Sequence, residues 1–146
     1  MLRRDSFKMR KRTRAREFAL QILYQMDITS DNYDICLNNF WQALSQEHID
    51  EEVKNFTTEL VKGVADNLET IDKKITQYAT NWQLRRMAVV DRNILRMSCF
   101  ELMFREDIPP KVSINEAVEL AKKYSGTVAG KFVNAISDKI KQEKDK

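Results

Sequence analysis

Apolar side chains recur along this chain every three or four residues and nowhere alternate one by one, which is the period of a buried helix face and not of a strand. The first stripe is Ala15, Phe18, Ala19, Ile22, Leu23 and Met26, and Thr29-Ser30-Asp31-Asn32 ends it as a loop. Further stripes follow on Leu37, Phe40, Trp41 and Leu44, on Val53, Phe56, Thr57, Leu60 and Val64, and on Leu68, Ile71, Ile75 and Tyr78. Thr80-Asn81-Trp82-Gln83 reads as a break. A long helix is then expected on Met87, Val90, Ile94, Leu95, Ser98, Leu102 and Met103. Asp107-Ile108-Pro109-Pro110 terminates it, because proline restricts the residue before it and donates no N–H.

Ser113-Ile114-Asn115-Glu116 has the form of a capping box that would start the next helix, with Val112 and Ala117 placed as a hydrophobic staple. Ala117, Leu120, Ala121 and Tyr124 are its expected buried face, and Ser125-Gly126 its C-terminal stop. The last helix carries Phe132, Val133, Ile136 and Ile140. The pattern predicts an all-α protein of six or seven helices joined by short loops, without internal repeat. The break near Trp82 suggests two small helical bundles packed together, since either half alone would bury a thin core. A single helical domain is expected over residues 12–141, with sub-bundles at about 12–80 and 81–141. A basic extension, residues 1–11, precedes it, and a charged tail, residues 142–146, follows.

Composition agrees. The 146 residues include three glycines and two prolines, and few chain breakers favour helix. No apolar run is long enough for a membrane span, and the charged N-terminus does not read as a secretory signal. Cys36 and Cys99 sit far apart within helical patterns, as reduced core residues of a cytoplasmic protein do.

Charge changes the picture more. Residues 1–16 hold Arg3, Arg4, Lys8, Arg10, Lys11, Arg12, Arg14 and Arg16 against Asp5 alone, a surplus of seven in a chain whose net charge is +3. The remaining 130 residues are therefore acidic by four. Cations crowded at one terminus make an electrostatic footprint for nucleic-acid phosphates, and arginine adds bidentate bonding and stacking on bases. A solubilising or membrane-surface arm is the plainer alternative. Residues suited to catalysis are missing: the one histidine, His48, lies in the charged stretch 46–52 as a solvated loop residue, and Glu51/Glu52 read as first-turn helix acids. There is no phosphate-binding glycine loop and no metal-ligand spacing, so neither enzyme activity nor a cofactor or metal is expected.

Four segments, in order, carry a resemblance: Arg12-Thr13-Arg14-Ala15-Arg16-Glu17-Phe18-Ala19-Leu20-Gln21-Ile22-Leu23-Tyr24; Val90-Asp91-Arg92-Asn93-Ile94-Leu95-Arg96; Ile108-Pro109-Pro110-Lys111-Val112-Ser113-Ile114-Asn115-Glu116-Ala117-Val118-Glu119-Leu120-Ala121-Lys122; and Lys131-Phe132-Val133-Asn134-Ala135-Ile136. Together they resemble the NusB family of bacterial transcription antitermination factors, over essentially the whole chain. The resemblance implies two three-helix bundles. It also implies a non-catalytic adaptor that binds the single-stranded boxA RNA element with NusE, a small-subunit ribosomal protein. That adaptor would join elongating RNA polymerase with other Nus factors and suppress premature termination, notably in ribosomal RNA operons. A similar module occurs fused to ribosomal-RNA methyltransferases; with no methyl-donor-binding domain after Lys146, the free-standing factor is expected.

By the same resemblance, Arg12, Arg14 and Arg16 would contact RNA phosphates and bases. Lys131 would meet a phosphate, Phe132 an RNA base, and Tyr24 and Asp91 would face NusE. On periodicity alone, the lesser alternatives are core positions for Phe132 and Tyr24 and a first-turn acid for Asp91. The segment 125–130 matches a second RNA-contacting loop but is small and apolar here. Ser137 stands where the family usually has Leu, which predicts a slightly looser last helix. Free monomer and homodimer both stay open, as does the order of residues 1–11. The alternative function is a helical protein–protein interaction module with a generic polyanion-binding arm.

Overall fold

The computed structural model describes residues 2–144, with only the backbone described for residues 2–9; Met1 and the end of the charged tail, Asp145 and Lys146, lie outside the described residues. Those residues form seven α-helices and a short 3-10 turn, without strands: α1 Leu2–Thr29, α2 Tyr33–Ala43, α3 Glu51–Asp66, α4 Leu68–Tyr78, the turn Leu84–Arg86, α5 Val89–Phe104, α6 Pro110–Tyr124 and α7 Thr127–Lys144. No helix among them is long and apolar enough to cross a membrane. The chain divides into two compact units, Met1–Ala65 and Asp66–Lys146. The division falls before the Thr80–Gln83 break, because α4 packs on α5 and α7 and so joins the C-terminal unit.

In the first unit α1 is continuous from Leu2, so the backbone of the basic extension is helical through residue 11. Its buried face is Ala15, Arg16, Ala19, Leu20, Ile22 and Leu23, while Phe18 and Met26 lie at the edge, half-buried. The predicted loop ends the helix: Ser30 adopts φ 63° and donates its N–H to the Met26 carbonyl at 2.8 Å. Asn32 then caps α2, its Oδ1 accepting the Ile35 N–H at 3.1 Å. In α3, Val53, Phe56, Thr57, Leu60, Val61 and Val64 are buried. Thr57 donates its hydroxyl to Val53 O at 2.7 Å, with Ala15 O of α1 at 3.3 Å. A small branched side chain there brings α1 and α3 together. His48 is exposed in the loop before α3, as expected.

The second unit is built around α5, whose residues 93–95 and 97–102 are all buried. Of its buried polar groups, Asn93 bonds within the helix, to Val89 O at 2.8 Å, and Ser98 and Glu101 are paired across helices. Ser98 and Ser137 of α7 share a hydrogen bond at 2.9 Å, so neither buried hydroxyl is left unmatched. Arg96 holds Asp72 of α4 through two bonds of 2.9 and 3.0 Å. Lys74 pairs with Glu143 at 2.6 Å.

The capping box is a correction. Helix α6 starts at Pro110, three residues earlier, with proline in its first turn and no side-chain cap. Proline supplies the helical φ and lacks the N–H that a first turn leaves unsatisfied. Ser113, one turn in, is buried and donates instead to the buried Glu101 carboxylate of α5 at 2.8 Å. The expected stop holds: Gly126 adopts φ 107° and its N–H reaches Ala121 O at 2.9 Å. Tyr124, placed on the buried face by periodicity, is 45% exposed. Helix α7 begins at Thr127, so the expected loop 125–130 is mostly helix, and its Val128 stands 82% exposed. Gly130 lets α6 and α7 approach: a Cβ there would stand 3.0 Å from Lys122 Cγ.

Candidate nucleic-acid interface

Four arginines occupy alternate positions 10, 12, 14 and 16 on α1, so a helix of 3.6 residues per turn sends them to two faces. Arg12 and Arg16, four apart, lean together onto one ring: their guanidinium carbons lie 4.5 and 5.2 Å from the centre of Phe56 of α3. Arg10 and Arg14 are exposed. With Thr13, Glu17, Phe18 and Gln21 they line an open groove of about 480 Å³.

Arg14 lies 5.0 Å over Phe18. Phe18 meets Phe40 and Trp41 of α2 edge-to-face, at 5.2 and 5.9 Å, and Phe40 meets Trp41 at 5.1 Å. Lys54 Nζ sits 5.8 Å over the Trp41 ring. A cation held over an aromatic face keeps its charge and loses conformational freedom, so it is pre-positioned for an anion.

Lys11 does something different. Its ammonium reaches Asp50 Oδ2 at 3.2 Å and Glu52 Oε2 at 3.4 Å, at the start of α3. Asp50 also accepts the Glu52 N–H at 2.9 Å. That backbone bond first, and Lys11 second, hold the Asp50 carboxyl below the usual carboxylate range. The hydrogen bond to Asp50 likewise raises Lys11. Lys11 therefore ties the basic helix to α3.

The predicted arginines thus divide. Arg14 is exposed and Arg12 half-buried. Arg16, expected with them as an RNA contact, is only 2% exposed, walled in by the same packing that brings it to Phe56. The side chains of Arg3, Arg4 and Lys8 lie outside the described residues.

In the second unit Lys131 is exposed on α7 and Phe132 half-buried. Phe132 meets Trp82 edge-to-face at 5.8 Å. Asp91 lies in the first turn of α5, half-buried. Its Oδ1 is buried without a hydrogen-bond partner, alone in this among the described residues. In the first unit Tyr24 is 39% exposed, which rules out the core reading, and Ile28 is exposed one turn on. Sequence reasoning passed over Phe56, Lys54 and Trp82. The first two sat in a core stripe and on its polar side, and Trp82 sat in a segment read only as a break. A tryptophan within a polar turn, followed by Arg85-Arg86, was the signal available. Among the described residues no cluster of three or more His, Cys, Asp or Glu is placed to hold a metal ion.

Fold and site together define an all-α protein with a cation-rich helix backed by aromatic rings. Residues 13–142 match the NusB family. The transcription antitermination protein NusB of Anaeromyxobacter dehalogenans (strain 2CP-1) is 48% identical over 130 residues, 89% of each chain. The chain belongs to the NusB family, a family of transcription antitermination proteins. Among solved structures, T. maritima NusB superposes with a TM-score of 0.81 at 36% identity, over 90% of this chain and 91% of that one. A NusB solved with NusE and double-stranded RNA gives 0.83 at 28% identity, over 92% and 98%.

Proposed function

We propose that this protein binds the single-stranded boxA RNA element together with NusE, and that the complex joins elongating RNA polymerase with other Nus factors to suppress premature termination, notably in ribosomal RNA operons. It acts as an adaptor without catalysis. The observation that carries the reading is the exposed Arg10/Arg14 edge of α1, with Arg14 held over Phe18. The solved NusB with NusE and double-stranded RNA supports RNA and NusE as partners. Single-stranded RNA is held by phosphate contacts and by stacking of unpaired bases, and the two chemistries lie side by side on α1 and α2. In this reading Arg12 and Arg14 contact RNA directly, and Arg16 shapes the surface beneath them. Lys131 and Phe132 contribute a second RNA contact. Tyr24 offers a large amphipathic ring to NusE, and the half-buried Asp91 offers an acidic side chain to a basic ribosomal protein.

The test is a fluorescence-anisotropy titration of boxA RNA, a scrambled strand and a boxA duplex, at two salt concentrations, with and without NusE. The reading expects sequence-selective binding to the single strand, strengthened by NusE. Equal, salt-sensitive binding to all three RNAs that ignores NusE would overturn it and leave a generic polyanion-binding module.

A further inference from the structure

Trp82 is the most exposed aromatic side chain among the described residues of the second unit. It is 57% exposed, so much of the free energy that burying an indole would yield is forgone. Yet its position is well defined. Its backbone N–H donates to Ala79 O at 3.1 Å, and the following 3-10 turn closes with Arg86 N to Gln83 O at 2.9 Å and Met87 N to Leu84 O at 3.2 Å. Ala79 before it and Met87 after it are buried, so the segment is anchored at both ends.

The indole meets Phe132 at 5.8 Å with the ring planes 62° apart. Rings so inclined meet edge to face and make a corner, in which a flat ligand can stack on one ring while the other walls its edge. Flanking the two rings in sequence, Asn81, Gln83, Arg85, Arg86 and Lys131 are all exposed. Arg85 Nε bonds Gln83 Oε1 at 3.3 Å, which orients both. An aromatic corner edged by amides and cations suits a flat, polar-edged, anionic ligand better than an apolar helix.

We propose that one unpaired RNA base stacks on Trp82 in the corner walled by Phe132, with Asn81 and Gln83 at the base edge and Arg85, Arg86 and Lys131 at the neighbouring phosphates. This rests on the RNA reading above and adds a ring, two amides and two arginines to it. Stacking acts on the π-face and releases no counterions, so Trp82 contributes affinity that salt does not screen.

The experiment titrates single-stranded boxA RNA into the full chain and into Trp82→Ala, Trp82→Phe, Arg85→Gln and Arg14→Ala, reading RNA anisotropy and intrinsic tryptophan emission. Trp82→Ala is expected to weaken binding by about 5- to 150-fold with an unchanged salt slope, as one lost stack does. Trp82→Phe is expected to retain most of the affinity, and Arg85→Gln to flatten the slope. RNA quenches emission in the parent, and the part of the quench that belongs to Trp82 is lost in Trp82→Phe, where Trp41 alone remains. If Trp82→Ala fails to fold by circular dichroism, Trp82→Phe and the quench decide. The stack on Trp82 is refuted if the parent binds RNA and Arg14→Ala weakens it while Trp82→Ala binds as the parent does, or while no quench is assigned to Trp82. Quenching by NusE and not by RNA would also refute it, by giving the corner to a protein. If the parent binds no RNA at all, the underlying RNA reading falls first.

Discussion

Replacing Arg14 or Arg16 by alanine removes the same group, two residues apart on one helix, and the structure separates the consequences. Arg14 is exposed over Phe18, where a cation–π contact is worth about 0.5–1 kcal/mol. Arg16 is 2% exposed against Phe56, itself 4% exposed. A desolvated contact of this kind is worth about 2 kcal/mol or more, before the loss of packed methylenes. At roughly 3 °C per kcal/mol for a chain of this size, Arg14→Ala should lower the melting temperature by about 2–3 °C. By the same conversion, Arg16→Ala should lower it by about 6 °C or more. RNA binding should reverse the order. Each phosphate contact on a single strand contributes about 0.7 to the slope of log K against log salt. Arg14→Ala should flatten that slope by about this amount, and Arg16→Ala should leave it unchanged in the fraction that remains folded. Arg14→Lys, which keeps the charge, should retain most of the slope. Thermal unfolding followed by circular dichroism, with anisotropy titrations at two salt concentrations, measures both. The reasoning fails if Arg16→Ala flattens the salt slope at an unchanged melting temperature, because Arg16 would then meet phosphate directly.

Three further outcomes follow from the packing. Ser137→Ala strands the buried Ser98 hydroxyl and should cost about 1–3 kcal/mol; adding Ser98→Ala should cost less than the sum of the two single changes, and strict additivity in denaturant titrations would deny the pair. The Lys11–Asp50 tie sets a pH window. The folded pKa of Asp50 is depressed, so its stabilisation is present above the unfolded value of about 3.9 and lost as the pH falls through the folded one. Lys11 is raised, so its share is lost only as the pH climbs past about 10.4 and through its folded value. Asp50→Asn should lower the melting temperature at pH 7 and match the parent well below pH 3.9; a gap that persists in acid would mean that something other than charge is lost. Burial pushes the Cys99 thiol up to about 12 and raises Cys36, and both thiols are free and buried. Neither should react quickly with a thiol reagent at pH 8 until denaturant is added, and rapid labelling of the native protein would contradict their burial.

Helix existence was legible because burial leaves a period, and Ile22, Leu60, Ile71, Ile94, Leu95 and Val133, all nearly or fully buried, are that period. What the period cannot express is a polar partner from another helix. Ser113 has the spacing of a cap, but its hydroxyl is claimed by Glu101, twelve residues back on α5, and Pro110 starts the helix without it. Tyr124 has the spacing of a core residue, but it stands beside the αL turn at Gly126 that ends α6, with Lys123 Nζ 5.4 Å over its ring. The same limit governs the candidate site. Arginine density marked the correct helix, since charge is a property of composition. Which arginine meets solvent depends on Phe56 and Phe18, and both were legible only as members of an apolar stripe.

That division is itself a physical consequence of spacing. Arginines at every second position cannot share one face of an α-helix, so a helix packed along one side must bury some of them or bend. Here Arg12 and Arg16 take the packed side, and Phe56 offers them a π-face in place of water. Arg10 and Arg14 are left outside, four apart and in register with the groove. A lysine at position 16 would bring a more strongly hydrated ammonium without a planar face to lay on the ring. The packed pair should therefore tolerate lysine worse than the exposed pair. Arg16→Lys should destabilise the fold while Arg14→Lys scarcely does, and the opposite order in thermal unfolding would show that the alternation serves RNA alone.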